Sequence, residues 1–324
     1  MPVSQFPNGF TSGVTIRGLP ISIAQPGKVW FVNNSSILSP GAIAGSDGND
    51  GSFRAPFKTL EGALGNAKLT NYAGRGDILM VLPNHAETIS NATLMALSCA
   101  GALVYGCGTG NARPTFTLNT ATTATININS ANMGFANCRF ISNFANIAAI
   151  FTVNAKDFYL GYNDFIDNSS VLNAVNVVQT SATSNAADGL WMENNNFYGL
   201  GAASNTCLIN YLGTQNRATI KNNYAAHTAV TGGGFIQTAS GKNITNAIID
   251  SNVGNFTGAS SLTTGVFMIT GGTANTGVVS NNKCKSLDDT SQILCTASSG
   301  FTFYNNYYQV NADKSGMLLP AVDS

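Results

Sequence analysis

One short phrase returns again and again along this chain, and it limits the possible folds more than any other feature. From residue 131 onward it reads GFANCRF, YLGYNDF, LWMENNNF, ATIKNNY, AIIDSNV, GVVSNNK and FTFYNNYY. With one Asn of each phrase as an anchor, at 137, 163, 195, 222, 252, 281 and 305, the intervals are 26, 32, 27, 30, 29 and 24 residues, with a mean of 28. Self-similarity at such a period marks a stacked repeat architecture. A second apolar run recurs in phase between the anchors: IAAIFTV, VLNAVNVV, TCLINYL, GGFIQT, TGVFMIT and SQILCT. Each period therefore holds at least two short strands. Side chains alternate in strands, so Phe158 and Leu160, or Trp191 with its neighbours, face inward by turns.

A single repeat of this kind cannot bury its own apolar face, whereas stacked equivalent strands make one continuous core. The predicted object is an all-β parallel β-helix. An Asn at the same point of every coil forms a ladder in it, each amide bonding the next coil about 4.8 Å away. Composition agrees. Only 9% of residues are charged, against roughly 25% in ordinary soluble proteins, and 40 Asn and 34 Gly supply the polar surface and the tight corners. Upstream, DILMVLP, GALVYG, PTFTLNT and TATININS supply the first coils. Roughly nine coils at about 4.8 Å would stand about 40 Å tall.

A solenoid needs its ends covered, because a terminal coil exposes unpaired backbone and apolar side chains. In PFKTLEGALGNA, Phe57, Leu60, Leu64 and Ala67 fall on one face of a short helix, with Pro56 near its start. This predicts a helical cap near 57–67, followed by a strand from Asp77 to Leu82. Residues 1–44, rich in Pro, Gly and Ser, read as an extended N-terminal arm that orders against something else; residues 45–324 read as the β-helix domain. QVNADKSGMLLPAVDS, after the last coil, leaves no room for a separate receptor-binding domain.

The stretch DGNDGSFRAPFKTLEGAL…RGDILMVLPNHAETI, followed by YGCGTGNARPTFTL and the coils themselves, resembles the right-handed pectate-lyase-like β-helices. In particular it is similar to those of virion structural proteins of tailed bacteriophages, over about residues 45–310. The resemblance implies a right-handed solenoid, self-association as a homotrimer, and attachment to the major capsid protein or another virion protein through residues 1–44. It implies a place on the virion, on the capsid surface or the tail, for a protein made in the bacterial host cytoplasm. It also raises host surface polysaccharide as a partner.

Charge and sequence signals remove other classes. Fifteen basic and fifteen acidic residues give no electrostatic footprint for nucleic acid or anionic membrane. No apolar run approaches 18 residues, and MPVSQFPNGF has no secretory pattern. Cysteines at 99, 107, 138, 207, 284 and 295 form no CxxC pair and have no His at metal-ligand spacing, so no metal is expected and they read as buried free thiols.

Many β-helices that this chain resembles cleave polysaccharide, which needs a carboxylate pair or a base with cationic partners. Among three Glu and twelve Asp, the candidates are Asp164, Asp167, Asp188 and Glu193, with Arg139 one coil earlier. The competing reading makes them solvated turn and edge charges. Tyr159, Tyr162, Trp191, Phe197 and Tyr198 read either as a sugar-stacking platform or as internal stacks and a subunit contact. His85 and His227 have no nucleophile in a triad pattern and read as structural. The RGD at 75–77 begins a strand, GCGTGNARP is a turn without a phosphate-loop Lys, and the sequons at Asn91, Asn168, Asn243 and Asn255 are those expected by chance. The expectation is a non-enzymatic structural virion protein, a capsid decoration or head-fibre module with no catalytic residues and no cofactor. The alternatives are a tailspike-type polysaccharide depolymerase or a non-catalytic carbohydrate- or receptor-binding fibre.

Overall fold

The computed structural model describes residues 14–16, 19–21, 27–38, 40–71, 73–90, 96–200, 207–227, 235–256, 266–270, 272–286, 293–295, 300–310 and 314–317. The chain winds through three sheets in fixed order, forming a right-handed parallel β-helix. The first sheet stacks Val29–Val32, Ile78–Val81, Leu103–Gly106, Gly134–Ala136, Tyr159–Gly161, Trp191–Glu193, Thr219–Lys221, Ala247–Asp250, Thr276–Ser280 and Gly300–Tyr304. The second runs from Ala86–Ile89 through Thr115–Leu118, Arg139–Ser142, Asp164–Asp167, Asn196–Gly199, Tyr224–His227, Val253–Phe256 and Lys283–Ser286 to Tyr307–Val310. Lys314–Met317 pairs antiparallel with that last strand. The third sheet stacks eight strands from Ala96–Leu97 to Ile293–Cys295.

Each period thus carries a strand in each of three sheets, and the recurring phrase is itself two strands rather than one. GFANCRF splits into Gly134–Ala136 in the first sheet and Arg139–Ser142 in the second. The bend between them is made by a residue in the left-handed region: Asn137 (φ 58), Tyr162 (61), Asn194 (54), Asn222 (54), Ser251 (56), Asn281 (55) and Asn305 (46). Asn visits this region more readily than other non-glycine residues because its short side chain bonds locally, which is why Asn recurs here.

The ladder belongs to the following residue, so the anchor set read from sequence mixes two positions. Asn163, Asn195 and Asn252 are true rungs; the other rungs are Asn223, Asn282 and Asn306, while 137, 222, 281 and 305 are the bends beside them. Each internal rung uses its whole amide. Asn223 Nδ2 donates to Asn252 Oδ1 (3.0 Å) and to the Met192 carbonyl (3.1 Å). Its Oδ1 accepts from the Asn195 main-chain N–H (3.1 Å) and from Asn195 Nδ2 (3.0 Å). A primary amide offers two donors and two acceptor lone pairs, so these buried amides leave nothing unpaired. The first rung, Asn163, accepts instead from the main-chain N–H of Cys138 (2.9 Å).

The interior is a column of aligned side chains. Phe116, Phe140 and Phe165 occupy successive positions of the second sheet and stack at 5.5 and 5.3 Å, with interplanar angles of 19° and 15°. Phe151 of the third sheet meets Phe140 edge-on at 4.9 Å. Burying such rings drives coil stacking at roughly 25 cal/mol per Å².

At the N-terminal end, α1 (Leu60–Leu64) and α2 (Ala67–Thr70) replace the single predicted helix. Thr59 caps α1, its Oγ1 accepting from Gly62 N (2.9 Å). Phe57, Leu60, Leu64 and Leu69 bury against the core, but Ala67 is exposed, because the chain breaks at Gly65–Asn66 and α2 restarts on a new face. The boundary at 44 is also displaced. Val29–Val32 pairs in parallel with Ile78–Val81 as the first strand of the first sheet, since an end strand with alternating apolar side chains gains a ladder there. Upstream of it, Val14–Ile16 and Leu19–Ile21 form a separate antiparallel pair; the rest of residues 1–26 lies outside the described residues.

Candidate functional site

Of the candidate residues, Arg139, Tyr159, Tyr162, Asp164, Trp191 and Glu193 fall around the bend between the first and second sheets, while Asp167 ends a second-sheet strand and Asp188 precedes a first-sheet strand. In the first sheet, register places Tyr159, Trp191 and Thr219 in one outward row and Gly161, Glu193 and Lys221 in the other. The phenol end of Tyr159 covers Gly161, where a Cβ would come within 2.0 Å of its hydroxyl. That hydroxyl donates to Glu193 Oε1 at 3.0 Å, while Lys221 Nζ stands 3.0 Å from Glu193 Oε2 and 4.8 Å from the centre of the Trp191 ring. Burial alone would raise the Glu193 pKa, but hydrogen bonds from Lys221, Tyr159 and Trp191 and the Lys221 charge hold it below the usual carboxylate range. Tyr159 is shifted the other way, upward, by its burial and then by the Glu193 charge. A general acid in a glycosidase has a raised carboxyl pKa, the reverse of what Glu193 has.

The other carboxylates are likewise engaged. Asp164, in the second sheet, pairs with Arg113 (2.6 Å) and accepts from Asn196 Nδ2 (3.0 Å). Arg139 is in register with Asp164 but donates to the Gly110 carbonyl (3.2 Å). Asp167 and Asp188 are not solvated edge charges, as one reading of the sequence has them. Asp167 is 1% exposed. Its two oxygens accept from the main-chain N–H groups of Ala174 and Leu200, both at 3.0 Å. Asp188 Oδ1 accepts from Asn216 N (2.8 Å), with Lys156 Nζ 3.8 Å from its other oxygen. Both tie one coil to another.

The aromatic residues divide. Phe197 points into the core, whereas Tyr162, Trp191 and Tyr198 are 45%, 43% and 42% exposed and Tyr159 is half-buried. Tyr162 stands at the left-handed bend that other coils fill with Asn or Ser, a conformation that costs a bulky residue about 1 kcal/mol or more. Tyr198 and Tyr224 face outward on adjacent coils of the second sheet, ring centroids 6.1 Å apart.

Elsewhere the residues singled out in the sequence act within the fold. Asp77 of the RGD is buried and binds Arg75 (2.5 Å), the Trp30 indole N–H (2.8 Å) and Lys28 N (2.8 Å). His85 Nδ1 accepts from Asn34 N (3.2 Å), so its other nitrogen carries the proton toward Glu87 (3.0 Å), which in turn accepts from Leu60 N of the cap. His227 packs on Phe197 (5.7 Å), and burial pushes its pKa down to about 4. Among the described residues, cysteines 99, 107, 138, 207 and 284 are thiols rather than disulfides; the Cys295 side chain lies outside the described residues, as does Asn91. Burial pushes Cys207 up to about 12. GCGTGNARP closes in a short 3₁₀ turn, Gly110–Ala112.

Arg113 and Lys221, which hold Asp164 and Glu193, were not singled out in the sequence. Counting one period on from Glu193 places Lys221 in the same outward row, and one period back from Arg139 lands near Arg113. Among the described residues no group of three or more His, Cys, Asp or Glu converges in a way that could hold a metal ion, and no helix is long and apolar enough to cross a membrane.

No protein-family model matches the chain, and no curated protein matches it in sequence. Among solved structures, a rhamnogalacturonan lyase is similar to it at a TM-score of 0.39 and 14% identity, over 91% of this chain. The chain spans 66% of that lyase's length.

Proposed function

We propose that this protein is a non-enzymatic structural module of a bacteriophage virion, a β-helical capsid decoration or head fibre attached through the residues that precede Val29 and self-associated as a trimer. One observation carries the non-enzymatic part: the carboxylates weighed as catalytic candidates each have partners that hold the fold together. Asp164 has Arg113 and Asn196, Glu193 has Lys221 and Tyr159, and Asp167 and Asp188 accept main-chain N–H groups. Fold does not fix function; the virion assignment draws on the resemblance of residues 45–310 to phage β-helices. A rigid rod whose polar surface is largely amide rather than charge suits a passive, protease-resistant part.

A second reading, a carbohydrate-binding fibre without turnover, is favoured by the exposed Trp191 and Tyr162 beside the Glu193–Lys221 pair. The test is to quantify the protein on purified capsids that lack tails and, in parallel, to assay host capsule and O-antigen for depolymerisation. Many copies per tailless capsid with no depolymerisation is the expected result. Depolymerisation by the wild type that is abolished in Asp164→Asn or Glu193→Gln would overturn the non-enzymatic reading, and glycan binding without turnover would select the second.

A further inference from the structure

Beyond the proposed virion role, and without depending on it, the outer face of the second sheet holds a groove that neither the repeat nor the cap explains. Its walls are Tyr224 and Tyr307, three coils apart in one outward row, which sets them about 14 Å from each other. Between them the row drops to Val253 and Lys283, and the next outward row supplies Asn255, Lys285 and Gln309. The depression has a volume of about 400 Å³. It continues into a second hollow of about 300 Å³ at the bend, sharing Val253, Lys283 and Tyr307. Small side chains between large ones create it: Val253 stands where neighbouring coils carry Tyr or Lys.

Its described lining carries two lysines and no acid. Lys283 and Lys285 are both exposed, and among the described residues neither is in an ion pair. Asp288 and Asp289, the acids nearest in sequence, lie outside the described residues; Asp250, at the bend, is already engaged by Ser251, Ser280 and Asn281, and despite the burial that would raise its pKa these hydrogen bonds hold it below the usual carboxylate range. Lys283 and Lys285 are alternate residues of one strand, so their side chains leave the sheet about 6.6 Å apart. Alternate side chains of any other extended chain have that same spacing. Tyrosines at each side offer flat apolar contact, and Asn255 and Gln309 offer amides.

We propose that this groove docks an extended acidic peptide segment of a partner protein, with carboxylates at alternate positions meeting Lys283 and Lys285 and the segment lying between Tyr224 and Tyr307. The experiment titrates the full-length protein into a fluorescein-labelled Asp-Thr-Asp-Thr-Asp-Thr peptide and follows anisotropy, with a Lys-for-Asp peptide as the control. Saturable binding with Kd below about 1 mM is expected for the acidic peptide alone, weakening as salt rises. Lys283→Gln and Lys285→Gln should each weaken it about three- to fivefold, and Tyr307→Ala should weaken it without changing the salt dependence. All three sites are on the surface, so an unchanged unfolding midpoint shows that the variants fold. No saturable binding, binding indifferent to both lysine variants, or displacement by an acidic oligosaccharide at lower concentration than by unlabelled peptide would each overturn the proposal.

Discussion

Asn223 donates its side-chain N–H to Asn252 Oδ1 at 3.0 Å across one turn of the helix, and both amides are buried with all four of their hydrogen-bonding positions filled. Truncating Asn223 to Ala removes the acceptor of the Asn195 main-chain N–H and of one Asn195 amide hydrogen, together with a bond to the Met192 carbonyl. The expected cost is about 3–5 kcal/mol in denaturant unfolding. Asn163→Ala, at the first rung, removes the acceptor of one main-chain N–H, that of Cys138, and of no earlier rung's amide, and should cost less; an equal cost would contradict the ladder's directionality.

The stacked rings give a second figure. Phe165 is fully buried beneath Phe140, and Phe165→Ala should lower stability by about 3–5 kcal/mol, the range for a large-to-small core change. Because coils contact only their neighbours, the loss should appear first as increased exchange in the turns around 140–200.

How much of this was legible in the sequence follows from which physics leaves a mark there. The period is visible because every coil needs both a left-handed bend and a buried amide, and Asn serves both. That double use also blurred the register: in KNNY or SNNK either Asn fits an anchor, and only the hydrogen bonds separate bend from rung. The cap was readable from Phe57, Leu60 and Leu64, but not its break at Gly65. Asp167 and Asp188 read as surface charges because their partners are main-chain N–H groups of residues far along the chain, which no local pattern announces. Likewise the groove between Tyr224 and Tyr307 exists only through register across four coils.

Acid should loosen the fold through His227. Burial depresses its folded pKa to about 4, below the usual 6.5 of a histidine, so the unfolded state binds the extra proton between those values. The stabilisation is therefore complete above about pH 6.5 and is lost as pH falls toward 4, at most about 3 kcal/mol. Unfolding midpoints measured from pH 7 to 4 should decline less steeply in His227→Leu than in the wild type; parallel curves would contradict this.

Tyr211 is fully buried, and among the described residues its hydroxyl has no hydrogen-bond partner. Tyr211→Phe removes only that hydroxyl and should leave the thermal midpoint unchanged or raise it. A loss above about 1 kcal/mol would show that the hydroxyl is satisfied in solution.

The most direct test of the stacked-coil account is hydrogen exchange at the main-chain N–H groups of Asn163, Asn195, Asn223, Asn252 and Asn282, each of which donates to the next coil's Asn side chain. The account predicts that these five exchange only through large-scale unfolding, and that Asn223→Ala speeds exchange first at Asn195. Rapid exchange at these rungs in the native protein, or no selective effect at Asn195 in the variant, would contradict it.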